Sequence, residues 1–140
     1  MAVIMLHETN LLSNKNVCIS LPDEAWGVMV EGQFKVFDTV KSCTAILPLL
    51  ETKYKEIESK IWNISKDLNF DTNSFPYNLL LVNALTYPTS YWPTLAVSWL
   101  EDSEFVDNDI LKCLSVISDE KSYDQKLRHR VRRLINKCKG

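Results

Sequence analysis

Five carboxylates lie within nine residues of each other, in a stretch with no basic side chain. They are Glu101, Asp102, Glu104, Asp107 and Asp109, and we call this set the acidic link because it spans the turn between two predicted helices. Such a concentration of negative charge repels nucleic acid, attracts a cationic protein surface and raises the rate of encounter with it. The alternative interpretation is an ordinary solvated turn, since runs of charge often face only water.

Basic side chains collect on the last predicted helix, opposite its apolar side, at steps of three and four residues. We call them the basic face: Lys126, His129, Arg130, Arg132, Arg133 and Lys137. This surface could contact phosphates. However, the chain carries a net charge of −2, and no RNA-binding signature or exposed aromatic stack accompanies the helix. The alternative is a solvated face, or one paired with carboxylates of the preceding helices.

Other chemistry finds little support in the residue types and their spacing. The two histidines, His7 and His129, are far apart, and neither has a cysteine near it at metal-ligand spacing. No G-x-S-x-G elbow occurs, and three glycines do not form a phosphate-binding loop. We therefore predict no enzyme activity, no metal and no cofactor. Four cysteines without paired spacing are expected to be reduced, buried thiols: Cys18, Cys43, Cys113 and Cys138.

The acidic link and the basic face must be positioned by the helices around them. Residues 87–101 hold two of the four tryptophans and predict a buried helix, with Ser90 as N-cap and Trp99 on the inner side. Further helices are expected at residues 76–85, 107–117 and 122–139, the last of them capped by Ser122 and turning Cys138 inward. Short turns between these segments predict antiparallel pairs similar to HEAT-type hairpins.

Residues 40–68 carry apolar side chains in strict steps of three and four, which predicts a long helix at the centre of a bundle or, as the alternative, a coiled-coil dimer. Because Pro48 interrupts the stripe, we expect a kink or two stacked helices there. A loop is expected at residues 69–76. Ser20 before Pro22 indicates a helix start, and residues 25–37 favour a helix. The same residues could form two strands around Glu31-Gly32.

We therefore predict an all-α fold, a compact helical bundle with antiparallel helix pairs and a HEAT-like C-terminal half, in a single helical domain over residues 1–140. The alternative is an α+β fold with one N-terminal β-hairpin around Glu31-Gly32. The composition, 46% hydrophobic and 24% charged over 140 residues, is typical of a globular domain. No apolar run is long enough for a membrane span and no secretory leader is evident, so we expect a cytoplasmic protein. The sequence leaves the oligomeric state open.

Three segments of the C-terminal half resemble small helical immunity proteins of bacterial contact-dependent growth inhibition systems. The resemblance covers roughly the last sixty-five residues, and the segments are Tyr91-Trp-Pro-Thr-Leu-Ala-Val-Ser-Trp-Leu-Glu101, Ile110-Leu-x-x-Leu114 and Gln125-Lys-Leu-Arg-His-Arg130. It implies a cytosolic antitoxin that binds the C-terminal toxin domain, commonly a nuclease, and blocks its active site.

On that hypothesis the acidic link forms the partner-binding surface, with Tyr87 and Tyr91 as aromatic anchors. The competing hypothesis is a nucleic-acid-binding or regulatory module that uses the basic face.

Overall fold

The chain begins with a four-stranded antiparallel sheet. The computed structural model describes residues 5–103 and 105–139, so Glu104 of the acidic link lies outside the described residues. Each strand pairs with the next one along the chain, in the order β1-β2-β3-β4. The strands are β1, Met5–Glu8; β2, Val17–Leu21; β3, Ala25–Val30; and β4, Gln33–Val36.

The predicted all-α class is wrong, and the α+β alternative is confirmed. Ser20 does not begin a helix: it is buried in β2, and its hydroxyl donates to Asp23 Oδ1 at 2.8 Å. Residues 25–37 form the β3–β4 hairpin, whose turn has positive φ at both Glu31 (50°) and Gly32 (79°), as a type I′ turn requires. A lone hairpin would be marginal, but β1 and β2 extend it into a sheet.

Helical segments make up the rest of the chain. They are a 3-10 segment, Lys41–Glu51; α1, Tyr54–Leu68; a short 3-10 turn, Thr72–Ser74; α2, Tyr77–Leu85; α3, Tyr91–Ser103; α4, Asn108–Asp119; and α5, Gln125–Lys139. The stripe over residues 40–68 is divided into two segments, as one of the two expectations had it, but the division lies at Thr52 and Lys53 rather than at Pro48, and the first segment is a 3-10 helix. The predicted loop contains the short 3-10 turn.

The four helices expected after residue 76 are confirmed as α2 to α5. The cap of α5 differs from the prediction, because Asp124 rather than Ser122 accepts from the Leu127 N–H at 2.7 Å. Helix α2 contacts α3, and α4 contacts α5, as the predicted pairs require. Their antiparallel orientation and the likeness to HEAT hairpins stay predictions. Among the described residues, no helix combines the length and the apolar character that a membrane span needs.

Buried side chains of the sheet and of the helices form one hydrophobic cluster. Trp26 of β3 joins the two parts: its ring packs edge-on against Phe70 and Phe75, with centroids 5.6 and 5.1 Å away. Its indole N–H donates to Ser74 Oγ at 3.0 Å. The sheet therefore docks on the connection between α1 and α2 and fixes the place where α2 begins.

Candidate binding surface

One side of α1 opens into a cleft of about 420 Å³ lined by four aromatic residues together with Ile61 and polar side chains. Tyr54, Glu58 and Trp62 recur every fourth residue and therefore share one face of the helix. Tyr77 at the start of α2 and Phe105 in the α3–α4 connection also line the cleft, and Thr72 and Asn73 contribute polar side chains. We call Tyr54, Glu58, Trp62, Tyr77 and Phe105 the aromatic cleft.

The inner rings of the aromatic cleft are held by packing. Tyr77 lies 5.9 Å from Tyr54 and 6.0 Å from Phe105, between ring centroids. Behind them, Trp99 of α3 is only 2% exposed and packs against Tyr54 at 5.5 Å. The outer rings are open to solvent, since Trp62 is 55% exposed and Phe105 is 42% exposed. Exposed aromatic rings over a fixed floor are typical anchors of protein interfaces.

Glu58 is the carboxylate of the aromatic cleft. Its Oε2 accepts a hydrogen bond from the Tyr54 hydroxyl at 2.7 Å. Burial, together with this bond and the charge of Glu58, raises the pKa of Tyr54 to about 12. Burial also raises the pKa of Tyr77 far above its ordinary value, with smaller contributions from Tyr54 and Glu58. Both tyrosines are therefore neutral at physiological pH, and the negative charge of the cleft resides on Glu58.

Two carboxylates of the acidic link are used inside the protein. Glu101 accepts from Arg130 Nη2 at 2.6 Å and from Arg130 Nε at 3.2 Å, which is a two-pronged ion pair between α3 and α5. Asp107 caps α4 by accepting from the Ile110 N–H at 2.9 Å, and its second oxygen accepts from the Asn78 side-chain amide.

Among the described residues of the acidic link, Asp102 and Asp109 are the carboxylates that stay open. Asp102 lies in the last turn of α3 and Asp109 in the first turn of α4, and both are exposed. Neither accepts a hydrogen bond from the part of the chain that the structure describes. They are therefore available to a cationic partner.

Tyr87 and Tyr91 lie at the opposite end of α3 from the acidic link. Helix α3 runs from Tyr91 to Ser103, which separates its ends by roughly 18 Å at the usual rise per residue. The Tyr91 hydroxyl donates to Glu51, and its ring packs on Trp92 at 4.9 Å. The structure thus does not bring the two tyrosines together with the carboxylates, and their role as anchors stays a prediction.

The basic face is partly occupied by contacts within the protein. Arg130 also donates to Ser98 Oγ at 2.9 Å, and its hydrogen bond with Glu101 raises the pKa of its guanidinium. Arg132 donates to the carbonyl oxygen of Ser118 at 3.1 Å. The side chains of Lys126, His129, Arg133 and Lys137 are exposed. Pairing with a carboxylate of a preceding helix, which was one of the two alternatives to phosphate contact, therefore accounts for Arg130.

The cysteines are only partly as predicted. Cys18 and Cys43 are buried, Cys113 is half-buried, and Cys138 is exposed rather than turned into the core. The periodicity of α5 placed Cys138 four residues after the buried Leu134, but Cys138 lines an open cavity with Leu100 and Val106 instead of entering the core. Within residues 5–103 and 105–139, no three His, Cys, Asp or Glu side chains are grouped closely enough to hold a metal ion.

No protein-family model, curated protein or solved structure matches the chain.

Sequence reasoning missed the aromatic cleft, although part of its signal was present. The four-residue steps from Tyr54 to Glu58 and Trp62 place a carboxylate and a tryptophan on one helix face. Tyr77 and Phe105 come from other elements, and only the fold shows that they line the same cavity. Phe105 also connects the two surface features, because it lines the cleft and belongs to the same α3–α4 connection as the acidic link.

Proposed function

We propose that this protein is an immunity protein that binds and neutralises a cognate toxin domain, a nuclease, by covering its active site in the cytosol. The observation that carries the proposal is the position of Phe105. This residue lines the aromatic cleft and lies three residues after Asp102 and four residues before Asp109, so one short stretch of chain carries both an exposed ring of the cleft and the open carboxylates. Aromatic anchors beside open carboxylates fit a cationic protein surface, because the rings supply contact area and the charges steer association.

A nuclease active site is cationic where it binds the phosphates of its substrate. The open carboxylates of Asp102 and Asp109 would compete with those phosphates for the same basic side chains. Both carboxylates sit at helix ends that are held by internal contacts, Glu101 with Arg130 and Asp107 with Asn78. A surface that is already ordered loses less conformational entropy on binding, which favours affinity.

The competing use of the basic face has weaker support. Arg130 and Arg132 are hydrogen-bonded within the protein, and releasing them to bind phosphate would break those contacts. A phosphate backbone that approached the acidic link would be repelled by Asp102 and Asp109. We therefore propose no role in nucleic-acid recognition, and the experiment below includes it as a contrary outcome.

The test is a charge reversal in the acidic link. The partner is a candidate toxin C-terminal domain, sought in the gene immediately upstream. Asp102→Lys combined with Asp109→Lys should slow association with that domain by about tenfold or more, and should abolish growth rescue. The matched control is Asp67→Lys with Glu120→Lys, which makes the same charge change at two exposed carboxylates elsewhere.

Equal association rates for the two double variants would overturn the proposal. So would binding of a labelled RNA or DNA duplex that weakens steeply with salt in the unaltered protein, because that behaviour belongs to phosphate contacts.

A further inference from the structure

We propose that the aromatic cleft binds an arginine side chain presented by the partner protein, with the guanidinium stacked on Trp62 and bonded to Glu58. This inference rests on the proposed function and names the chemistry of one contact within it. Three features of the cleft support it. They are a carboxylate that has no ion-pair partner among the described residues, an exposed tryptophan one helical turn away, and a packed aromatic floor.

The carboxylate of Glu58 has capacity for a cationic donor. Only its Oε2 accepts a hydrogen bond from a described residue, the Tyr54 hydroxyl, which leaves Oε1 open. No lysine or arginine of the described chain forms an ion pair with it. The Tyr54 hydroxyl also holds the carboxylate against the rings. A guanidinium entering the cleft would therefore find a charge partner that is already oriented.

Trp62 supplies the stacking surface. It follows Glu58 by four residues, so the two side chains are neighbours along one helix face. The residue is 55% exposed, so its side chain is accessible to a partner. Tryptophan is the strongest cation–π acceptor among the aromatic side chains, and arginine is its most frequent partner.

The floor of the cleft favours a planar group with an apolar stem. Tyr54 and Tyr77 are packed edge to face, and Phe105 extends the apolar wall toward the acidic link. The methylene groups of an arginine can lie along these rings while the guanidinium reaches Glu58. Lysine has a more strongly hydrated head and cannot stack, so it fits less well.

Other ligand classes are disfavoured by the same residues. An anion would be repelled by Glu58, and a neutral apolar group would remove water from that carboxylate without replacing its hydrogen bonds. A nucleobase could stack on Trp62, but its backbone phosphates would meet Glu58 and the open carboxylates of the acidic link. A planar cation can stack on the ring of Trp62 and also form an ion pair with Glu58.

The direct test uses N-acetyl-arginine amide as the probe and N-acetyl-citrulline amide as its neutral analogue of nearly the same shape. We expect the arginine probe to shift the indole N–H resonance of Trp62 in a saturable manner, and the citrulline probe to bind at least about threefold more weakly. Glu58→Gln should weaken the arginine probe by about threefold to fivefold. Glu56→Gln, which removes an exposed carboxylate from the same helix outside the cleft, should leave its binding unchanged.

A Trp62 resonance that does not respond, or that responds equally to both probes, would overturn the inference. A second measurement separates this inference from the proposed function. Trp62→Ala and Glu58→Gln should each raise the dissociation constant for the upstream toxin domain. If that domain binds and neither variant weakens it, the inference fails while the proposed function stands. If the arginine probe binds as expected but the toxin domain does not bind, the chemistry of the cleft is supported and the proposed function fails.

Discussion

The indole N–H of Trp99 donates a hydrogen bond to the backbone carbonyl oxygen of Thr52 at 2.9 Å. Thr52 caps the 3-10 segment two residues before α1 begins, so a buried side chain of α3 fixes the start of the helix that carries the aromatic cleft. The Trp99 ring also packs against Tyr54 at 5.5 Å. The helix predicted from residues 87–101 therefore positions Tyr54 of the aromatic cleft through the buried side chain of Trp99.

Removal of the Trp99 side chain should strongly destabilise the protein. Trp99→Ala is expected to lower the free energy of unfolding by about 3–5 kcal/mol, because a fully buried ring is lost and a cavity remains. Trp99→Phe keeps most of the ring but leaves the Thr52 carbonyl unpaired, at a loss of about 1–3 kcal/mol. Urea denaturation measures both. Trp62→Ala is the control: its ring is largely exposed, so we expect a change within about 0.5 kcal/mol. A Trp99→Ala protein as stable as the unaltered chain would contradict the burial described here.

A side chain at Gly27 should disrupt the β3–β4 hairpin. An added Cβ would lie 2.4 Å from the carbonyl oxygen of Lys35 and 2.8 Å from the Phe34 ring. The carbonyl belongs to the paired strand and cannot move without separating the two strands. We expect Gly27→Ala to lower the free energy of unfolding by about 1–3 kcal/mol.

The control for Gly27 is Gly32→Asn in the turn of the same hairpin. Gly32 has φ of 79° and no neighbouring atom within 4 Å of an added Cβ, and asparagine tolerates this backbone region. Asparagine is strained at this φ but less so than other side chains, so the variant should lose less stability than Gly27→Ala in the same urea series. If Gly27→Ala were neutral, the close pairing of β3 and β4 would be wrong.

The C-terminal helices could be predicted from the sequence because their signals are local. Apolar side chains recur at helical spacing, and capping residues and short turns separate the segments. The sheet could not be predicted in this way. Residues 25–37 have a spacing that suits a helix face as well as two strands, and the outcome depends on pairing with β2, which in turn pairs with β1. These partners lie elsewhere in the chain, and their own patterns were too short to identify.

Of the candidate site, only the acidic link could be predicted from the sequence, and only in composition. The acidic link was visible as a run of carboxylates, and the structure places Asp102 and Asp109 on its exposed surface as expected. The sequence could not show that Glu101 pairs with Arg130, because 29 residues separate them. It likewise could not show that Phe105 reaches Tyr77, since that contact depends on how α2 lies against the α3–α4 connection.

Alkaline pH should destabilise the protein through Tyr54. Its pKa is raised to about 12 in the folded protein, mainly by burial, whereas a tyrosine in the unfolded chain has a pKa near 10. The unfolded state therefore loses its proton first as the pH rises. The stabilising contribution is complete below about pH 10 and is lost progressively toward pH 12. Urea denaturation between pH 9 and pH 12 should show this decline, and Tyr54→Phe should make it shallower. An equally steep decline in Tyr54→Phe would show that Tyr54 is not the group responsible.

Thiol reactivity should separate the four cysteines by their exposure. Cys138 is exposed, so Ellman's reagent should modify it rapidly in the native protein. Cys43 is buried, and burial raises the pKa of its thiol to about 11, which leaves almost no thiolate to react near neutral pH. Cys18 is also buried, and burial raises its pKa. Cys138→Ser should therefore remove the rapid phase, while Cys43→Ser should leave it intact and reduce only the amplitude seen after denaturation in urea. A rapid phase that persists in Cys138→Ser and disappears when Cys113→Ser is added would come from the half-buried Cys113. A rapid phase that persists in this double variant would contradict the core packing around Cys18 and Cys43.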